Sequence, residues 1–403
     1  MRNHSNEIGQ GLHLHDSNPS ARVERTAPRD SLSTVSANDQ EQIEVLTSYG
    51  YDAALQQSWQ RGVADGTFAA ANNTVDAPML APPPHELSDM PASGTTEHDE
   101  LHKLGMEAIA RGELAVCVLN GGMATRFGGV VKGVVEVREG RSFLGLALDN
   151  TRELARAAGG RIRVMLMNSF ATDASTREHF AAHENFGVAA DDIEHFTQFV
   201  QLRMTERGEL FRKDDGTLSA YGPGHGDFAP AFRASGCLQR FLEDGGKYVF
   251  VRNVDNLGAL ADPAVLGHHI RSGRETTCEL APKHDGDVGG APYLYKDRVQ
   301  LVEQIRYPKD FDAGIVDVFN CNTMTFTAAA LNREVELGRY FVEKTVEGRP
   351  AVQIEHLIGE MTAHLSTNWL KIPRAGADSR FLPIKKPSEL ETLRPAIDAL
   401  YGA

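Results

Sequence analysis

A glycine-rich segment with two basic side chains lies near residue 120. Residues 119–133 read LNGGMATRFGGVVKG and include Arg126 and Lys132. Glycines let backbone amides approach a ligand closely, and the Arg and Lys side chains supply positive charge suited to phosphate groups. The spacing matches neither the dinucleotide pattern GxGxxG nor the GKS or GKT ending of a P-loop. The segment therefore predicts a phosphate site of another kind, and the alternative is an ordinary glycine turn with two solvated cations.

An acidic residue follows a second apolar run. Residues 248–262 read YVFVRNVDNLGALAD, so that Asn253 and Asp255 come at the end of a predicted buried strand. A carboxylate at such a position needs a partner. Mg²⁺ is usually bound by one or two carboxylates together with phosphate oxygens and water. We therefore predict that Asp255 binds Mg²⁺, and the alternative is that Asp255 caps the following turn.

Two more segments carry polar side chains that could read a nucleotide. The segment HFTQ ends at Gln198, whose side-chain amide offers a donor and an acceptor to a pyrimidine edge. The segment GPGHGDF covers residues 222–228, and its three glycines around His225 make an ordered helix or strand implausible there. The alternatives are a surface glutamine at a strand end and a solvent-exposed histidine in a loop.

The elements that must position these residues alternate between strands and helices. Short apolar runs predict strands at 114–119, 162–167, 193–196 and 248–254. Helical patterns cover 100–110, a segment that Ser142 caps, 174–184, a segment after Pro263, and 388–400. This alternation predicts an α/β fold with a doubly wound, mostly parallel sheet, Rossmann-like in its topology. Ligands of such sheets bind outside the carboxyl ends of the strands, where the polar motifs lie.

The first hundred residues have a different character. Residues 1–39 are polar and without periodicity, which predicts a disordered tail. Residues 40–64 have the apolar spacing of one or two short helices, and residues 76–95 contain APPPHELSDMPAS, which predicts a proline-rich linker. We therefore divide the chain into a tail, a region of short helices and linker at 40–97, and one domain at 98–403 that carries the motifs.

The composition excludes several classes of function. The chain has 41 basic and 55 acidic side chains and a net charge of −14, which argues against a nucleic-acid or anionic-membrane surface. Four cysteines without paired spacing argue against a disulfide scaffold or a zinc site and suit a reducing compartment. Neither a signal peptide nor a bilayer-spanning run is present in the sequence. We therefore predict a soluble cytoplasmic protein.

The motifs occur in the order typical of one family. From about residue 101 to residue 393 the chain resembles the UTP-glucose-1-phosphate uridylyltransferases and their UDP-N-acetylhexosamine relatives. The resemblance rests on the glycine segment, MNSFATD at 167–173, GPGHGDF, NVDNLG and SRFLPIKKPSEL at 379–390. It implies the nucleotide-diphospho-sugar transferase fold, with UTP and a sugar 1-phosphate as substrates, Mg²⁺ as cofactor, and a UDP-sugar and pyrophosphate as products. Residues 98–403 would then be a nucleotidyltransferase catalytic domain.

The resemblance also implies roles for individual residues. The catalytic residues would be Lys385, Lys132 and Arg126, and Asp255 would bind the metal. The nucleotide would be bound by Leu119, Asn120, Gly121, Gly122, Gln198 and Gly224. The sugar phosphate would be bound by His225, Asn253, Glu303 and Asn322.

Departures from the family pattern leave the sugar open. Ala124 replaces a glycine of the first motif, and Val288 stands where relatives usually carry Lys. Glucose 1-phosphate is the favoured substrate, and the alternatives are N-acetylhexosamine 1-phosphate or a UDP-sugar binding protein without turnover. A nicotinamide-dependent dehydrogenase is disfavoured by the glycine spacing. We also expect the chain to lack the C-terminal β-helix that mediates assembly of the eukaryotic glucose enzymes, so no oligomeric state is predicted.

Overall fold

The computed structural model describes residues 37–124, 129–287 and 289–402. The predicted tail therefore lies outside the described residues, except that its last three positions open the first helix. Within the described residues the helices are α1 (Ala37–Thr47), α2 (Ala53–Ala64), α3 (Thr96–Ala110), α4 (Phe143–Ala158), α5 (Asp173–Ala182), α6 (Phe228–Ala234), α7 (Cys237–Glu243), α8 (Pro263–Ser272), α9 (Pro387–Thr392) and α10 (Arg394–Tyr401).

The same described residues form eighteen strands, several of which are only two or three residues long. They are β1 (Leu87–Asp89), β2 (Leu114–Leu119), β3 (Met123–Ala124), β4 (Val130–Val131), β5 (Glu136–Arg138), β6 (Arg141–Ser142), β7 (Arg163–Asn168), β8 (Ile193–Thr197), β9 (Gln201–Leu202), β10 (Ala220–Tyr221), β11 (Tyr248–Asn253), β12 (Thr276–Pro282), β13 (Ala291–Tyr295), β14 (Arg298–Val302), β15 (Val318–Thr327), β16 (Tyr340–Val346), β17 (Arg349–Glu355) and β18 (Thr367–Lys371).

The central sheet of the described chain has eight strands in the order β1–β18–β12–β15–β11–β2–β7–β8. All neighbours are parallel except at β15, which runs antiparallel to β11 and to β12. This confirms the predicted mostly parallel sheet, whose β2, β7, β8 and β11 are the four predicted strands. The register places Leu119 opposite both Asn253 and Met167, so the carboxyl ends of β2, β11 and β7 meet at one edge.

The apolar layers on the two sides of the sheet explain why β2 is a continuous apolar run. All six of its residues are buried, and successive side chains point to opposite faces. Ala115 and Cys117 pack on the side of α6 and α7, whereas Val116 and Val118 pack on the side of α3 and α4. The core therefore fixes the strand ends, and the polar residues that follow them project beyond the sheet.

Local capping confirms two of the predicted helix starts. Ser142 accepts a hydrogen bond from the Gly145 N–H at 3.0 Å and so caps α4, which ends at Gly159 in the left-handed conformation. Asp262 caps α8, whose first residue is Pro263. Both helices begin where the sequence predicts.

Two local predictions are wrong in part. The segment 222–228, predicted to lack helix, contains a 3-10 turn at His225–Asp227 that leads into α6. The turn is stabilised because Phe228 and Phe232 of α6 are anchored in the core. The predicted helix 388–400 is two helices, α9 and α10, because Pro395 lacks the N–H that a continuous helix needs.

Three side-chain amides attach the N-terminal region to the rest of the fold. Each one donates to the carbonyl and accepts from the N–H of a single distant residue, as a neighbouring strand would. The pairs are Gln42 with Leu218, Gln56 with Leu202, and Asn73 with Phe341, at 2.8–3.0 Å. The short predicted helices are thus a structural part of the domain.

The predicted proline-rich linker contributes an edge strand. Within it, β1 pairs in parallel with residues 369–371 of β18. Three residues are too few to show the alternation of apolar and polar side chains that marks a strand in the sequence. The partner strand of β1 is also far away in sequence. In the described part of the chain, no helix combines the length and the hydropathy that crossing a bilayer would require.

Candidate functional site

A cavity of about 700 Å³ lies at the carboxyl ends of β2, β7, β8 and β11. It collects most of the residues predicted for the nucleotide and the phosphates. From the predicted set its walls include Leu119, Gly121, Gly122, Lys132, Gln198, Gly224, His225, Asn253 and Asp255. Arg126 lies outside the described residues.

The cavity wall carries an ion pair between Lys132 and Asp255. The Lys132 ammonium lies 2.7 Å from an Asp255 carboxylate oxygen. Lys132 opens a 3-10 turn at Lys132–Val134, and a Cβ at Gly133 would lie only 2.3 Å from the Asn120 side chain. Glycine is therefore required beside Lys132, because the turn must press against the buried start of the loop. The pair joins the glycine segment after β2 to the acidic segment after β11.

The cavity wall also carries a glutamine amide that lies between two glycines. The Gln198 amide lies against Gly121, and a Cβ at Gly222 would be 1.7 Å from its nitrogen. The Gln198 backbone N–H donates to the Asn168 carbonyl at 2.9 Å, which extends the sheet by one residue. Its side chain forms no hydrogen bond with the described residues, so donor and acceptor are both available to a ligand.

The loop between β10 and α6 is held by the segment after β17. Gly224 has a φ of +106°, and a Cβ there would lie 2.4 Å from the His356 carbonyl. Asp227 is fully buried, accepts from the Phe199 N–H at 3.0 Å, and lies 2.5 Å from the His356 Nε2. The glycines and Asp227 therefore fix this wall of the cavity.

His225 enters the cavity as a neutral ring. Its Nδ1 accepts a hydrogen bond from the Ile358 N–H at 2.9 Å, which requires Nδ1 to be unprotonated. Burial lowers the pKa of His225 to about 4, with Glu355 opposing the shift and His356 adding to it. At neutral pH the remaining proton is on Nε2, so His225 can donate to a ligand oxygen.

A chain of side chains leads from the cavity toward Glu303. Asn322 has a left-handed backbone, with a φ of +54°, and donates to the Asn253 side-chain oxygen at 2.9 Å. Its N–H donates to the Asn320 side chain, which also approaches Glu303 at 3.5 Å. Burial raises the pKa of Glu303 to about 7. The structure therefore links Asn253, Asn322 and Glu303, although of these three only Asn253 is among the residues that line the cavity.

Besides Asn322 and Glu303, two more predicted residues lie apart from the cavity walls. The Asn120 side chain is fully buried and donates to Asn168 and to Thr176 at 2.9 Å, so it holds the loop together. Lys385 is exposed, and the residue before it, Ile384, donates its N–H to the Asp255 carbonyl at 3.0 Å. The backbone before Lys385 is thus bonded to the segment that carries Asp255, although Lys385 is not among the residues that line the cavity.

Three cavity residues with charged or amide side chains were absent from the sequence-based set. They are Arg203, after β9, and Lys344 and Gln353, which lie on the hairpin of β16 and β17. Arg203 donates to Gln353 at 2.9 Å, and Lys344 lies 3.5 Å from Glu355. None belongs to a glycine-rich or strand-end motif, so the sequence offers no local signal for them.

The donor set fits a magnesium site of limited coordination. Among the described residues no cluster of three or more His, Cys, Asp or Glu side chains could enclose a metal. Asp255 provides one carboxylate at the cavity wall, and Mg²⁺ in phosphate-transfer sites commonly uses one or two carboxylates with substrate oxygens and water. Asp255 therefore fits a metal that arrives with a phosphate ligand.

Comparison with known proteins identifies a family over most of the chain. The family model described as UTP–glucose-1-phosphate uridylyltransferase matches residues 71–397. A UTP–glucose-1-phosphate uridylyltransferase of Musa acuminata is 34% identical over 295 residues, which are 69% of this chain and 62% of that protein. The chain spans about three fifths of the length of the curated relatives it matches.

Solved structures share the fold. A uridine diphosphate N-acetylglucosamine pyrophosphorylase of Trypanosoma brucei aligns with a TM-score of 0.74 and 18% identity, over 90% of this chain and 80% of that one. A UDP-glucose phosphorylase of the same organism aligns with a TM-score of 0.69 and 22% identity, over 89% and 79%. These likenesses concern the fold alone.

Proposed function

Because the chain belongs to the UTP–glucose-1-phosphate uridylyltransferase family, we propose that it transfers the uridylyl group of UTP to glucose 1-phosphate. The products are UDP-glucose and pyrophosphate. The observation that carries the proposal is that one cavity is lined both by the Lys132–Asp255 pair and by the Gln198 amide, which has no hydrogen-bond partner among the described residues. A phosphate site and a base site thus share one cavity.

The transfer needs no nucleophilic side chain. A phosphate oxygen of glucose 1-phosphate attacks the α-phosphorus of UTP, and the bond from that phosphorus to the β-phosphate oxygen breaks. Its electron pair leaves with pyrophosphate. The contribution of the protein is alignment and the neutralisation of charge.

Each side chain then has a defined task. Lys132, with Arg126, holds the leaving pyrophosphate, and Lys385 holds the transferred phosphate. Gln198 pairs with the uracil edge, and the Nε2–H of His225 donates to a phosphate or sugar oxygen. For Lys385 this requires a rotation of its exposed side chain toward Asp255.

Asp255 would hold Mg²⁺ together with the phosphates of UTP. When bound, the ion neutralises charge on the phosphate oxygens. Lys132, which lies beside Asp255 in the structure, would contact the same phosphates.

A reducing compartment fits the cysteines. Cys117, Cys237, Cys278 and Cys321 are all buried and unpaired with one another, as expected in the cytoplasm, where we place the protein. Fractionation of cells that express it natively checks this location.

The direct test is pyrophosphate release from UTP in the presence of Mg²⁺. A panel of glucose, galactose, N-acetylglucosamine and N-acetylgalactosamine 1-phosphates is compared, with and without EDTA. We expect release with glucose 1-phosphate and its loss when the metal is chelated. UTP binding without release across the panel contradicts the proposed activity and favours a binding protein.

The role of Lys385 has a matched control in the next residue. Lys385→Ala is expected to lower turnover about a hundredfold, by analogy with other charge-stabilising donors. Lys386→Ala removes an equally exposed neighbouring cation and should leave turnover unchanged. Near-normal turnover of Lys385→Ala contradicts the assignment.

A further inference from the structure

Arg203 presents a fixed guanidinium to the cavity. Its Nε donates to Gln353 at 2.9 Å, and its Nη1 donates to the Ser219 hydroxyl at 3.1 Å and the Ala220 carbonyl at 2.9 Å. The Tyr221 ring lies under it, 5.3 Å from the guanidinium carbon. The Nη2 group has no hydrogen-bond partner among the described residues. Because three bonds fix the fork and Arg203 lines the cavity, Nη2 is a positioned donor for a ligand.

The Gln198 amide, which would pair with the nucleotide base, is close to this guanidinium. Ala220, which accepts from Arg203, is followed after one residue by Gly222, and Gly222 packs directly on the Gln198 amide. Two residues of extended chain span about 7 Å at most. A pyrimidine that pairs with Gln198 therefore lies within reach of a donor on Arg203.

Gln198 by itself cannot distinguish uracil from cytosine. Its amide can rotate, so that either the oxygen or the NH₂ group faces position 4 of the base. Uracil has a carbonyl oxygen there, and cytosine has an amino group. A guanidinium is a donor only and never an acceptor, so it favours the carbonyl and opposes the amino group.

We propose that Arg203 is a specificity-determining residue that selects uracil over cytosine at the 4-position. The inference rests on the proposed function, since it takes Gln198 as the base-reading residue. It also explains why Arg203 is held by Gln353 and Ala220, since a donor discriminates only where it cannot move aside.

The test is the ratio of UTP to CTP, measured both as kcat/KM and as dissociation constants. For Arg203→Gln we expect the ratio to fall roughly tenfold or more, because a charge-assisted hydrogen bond is lost and the new amide can accept from an amino group. Arg212→Gln is the control, since Arg212 pairs with Asp39 away from the cavity, and its ratio should stay at the wild-type value. A merely structural role would lower both nucleotides equally and leave the ratio unchanged, which overturns the proposal.

Arg203→Lys covers the case in which Arg203→Gln does not fold. Lysine keeps a donor-only cation without the fork, so the ratio should fall by less, roughly severalfold. An unchanged ratio with lower rates in this folded variant overturns the proposal. Equal binding of UTP and CTP by the wild type does so as well.

The uridylyltransferase activity and the selection of uracil by Arg203 are contradicted by different results. If the wild type binds UTP but releases no pyrophosphate with any sugar, the proposed activity fails, and the dissociation constants alone decide the role of Arg203. If it turns over UTP and CTP equally, the activity stands and the selection by Arg203 is wrong.

Discussion

Two aspartates near the cavity, Asp255 and Asp227, are used in opposite ways. The Asp255 side chain is 27% exposed, lies on the cavity wall and pairs with Lys132. Asp227 is 0% exposed, and both its oxygens are engaged, by the Phe199 N–H and by His356. The Asp255 carboxylate is thus accessible from the cavity, whereas the Asp227 carboxylate is used entirely to hold its own loop against the neighbouring segments.

The same contrast separates two amides. The Asn120 NH₂ group donates to Asn168 and to Thr176, although its buried Oδ1 has no partner among the described residues. The Gln198 side chain has no hydrogen-bond partner in the described chain and lines the cavity, where a ligand can satisfy it. The Asn120 donors therefore hold the loop together, whereas the Gln198 amide remains available to a ligand.

The largest expected effect is the loss of stability on replacing the buried Asp227. Asp227→Ala should lower the free energy of unfolding by about 3–5 kcal/mol, because it leaves His356 and the Phe199 N–H without their buried acceptor. Urea denaturation followed by circular dichroism measures this. Asp214→Ala, which removes an exposed partner of Arg349, should cost about 1 kcal/mol or less. Unchanged stability of Asp227→Ala together with lost UTP binding would break the comparison.

Lys132→Ala should lower turnover with little change in the free energy of unfolding. We expect turnover to fall about a hundredfold or more, because the variant lacks a cation on the phosphates. The free energy of unfolding should change by about 1 kcal/mol or less, since the pair with Asp255 is partly solvated. Initial rates of pyrophosphate release and urea melts are compared with Lys213→Ala, a surface lysine outside the cavity. A large loss of stability would contradict this prediction and mean that Lys132, like Asp227, is needed for the fold.

Gln56 tests whether the N-terminal region supports the cavity. Gln56→Ala removes both hydrogen bonds to Leu202, the residue before Arg203, and should cost about 1–3 kcal/mol of unfolding free energy. The KM for UTP should rise because β9 is no longer held. Gln60→Ala on the same helix removes one bond, to the Gly208 carbonyl, and should cost less. Equal effects of the two variants would argue against a special role for Gln56.

The smallest effect concerns protonation of His225. Its pKa is lowered to about 4 in the folded protein, so the unfolded chain binds the proton more readily as pH falls below about 6.5. The contribution to stability is complete above that pH and is lost progressively toward pH 4. His225→Asn keeps an acceptor for the Ile358 N–H but does not titrate.

The variant should therefore lose less stability than the wild type between pH 7.5 and pH 5, by on the order of 1 kcal/mol. Urea midpoints at the two pH values measure the difference. Identical pH dependence in both proteins would mean that His225 is protonated as easily in the fold as in the unfolded chain.

Much of the architecture could be predicted because it is encoded locally. Strand β2 is a continuous apolar run and β11 begins with one, and polar residues follow both, so Gly121, Asn253 and Asp255 could be placed at the edge of a parallel sheet. The helix starts at Ser142 and Pro263 follow from capping chemistry within a few residues.

The tertiary structure decided which polar groups remain available. The bond between Arg203 and Gln353 joins residues 150 positions apart, and that between Asp227 and His356 joins residues 129 apart. No local pattern shows that Arg203 reaches the cavity or that Asn120 turns away from it. The sequence by itself determined the fold and the strand ends, because side-chain periodicity and capping act over a few residues. Only packing across the sheet and the hairpin determined whether each polar group was satisfied inside the protein or left open for a ligand.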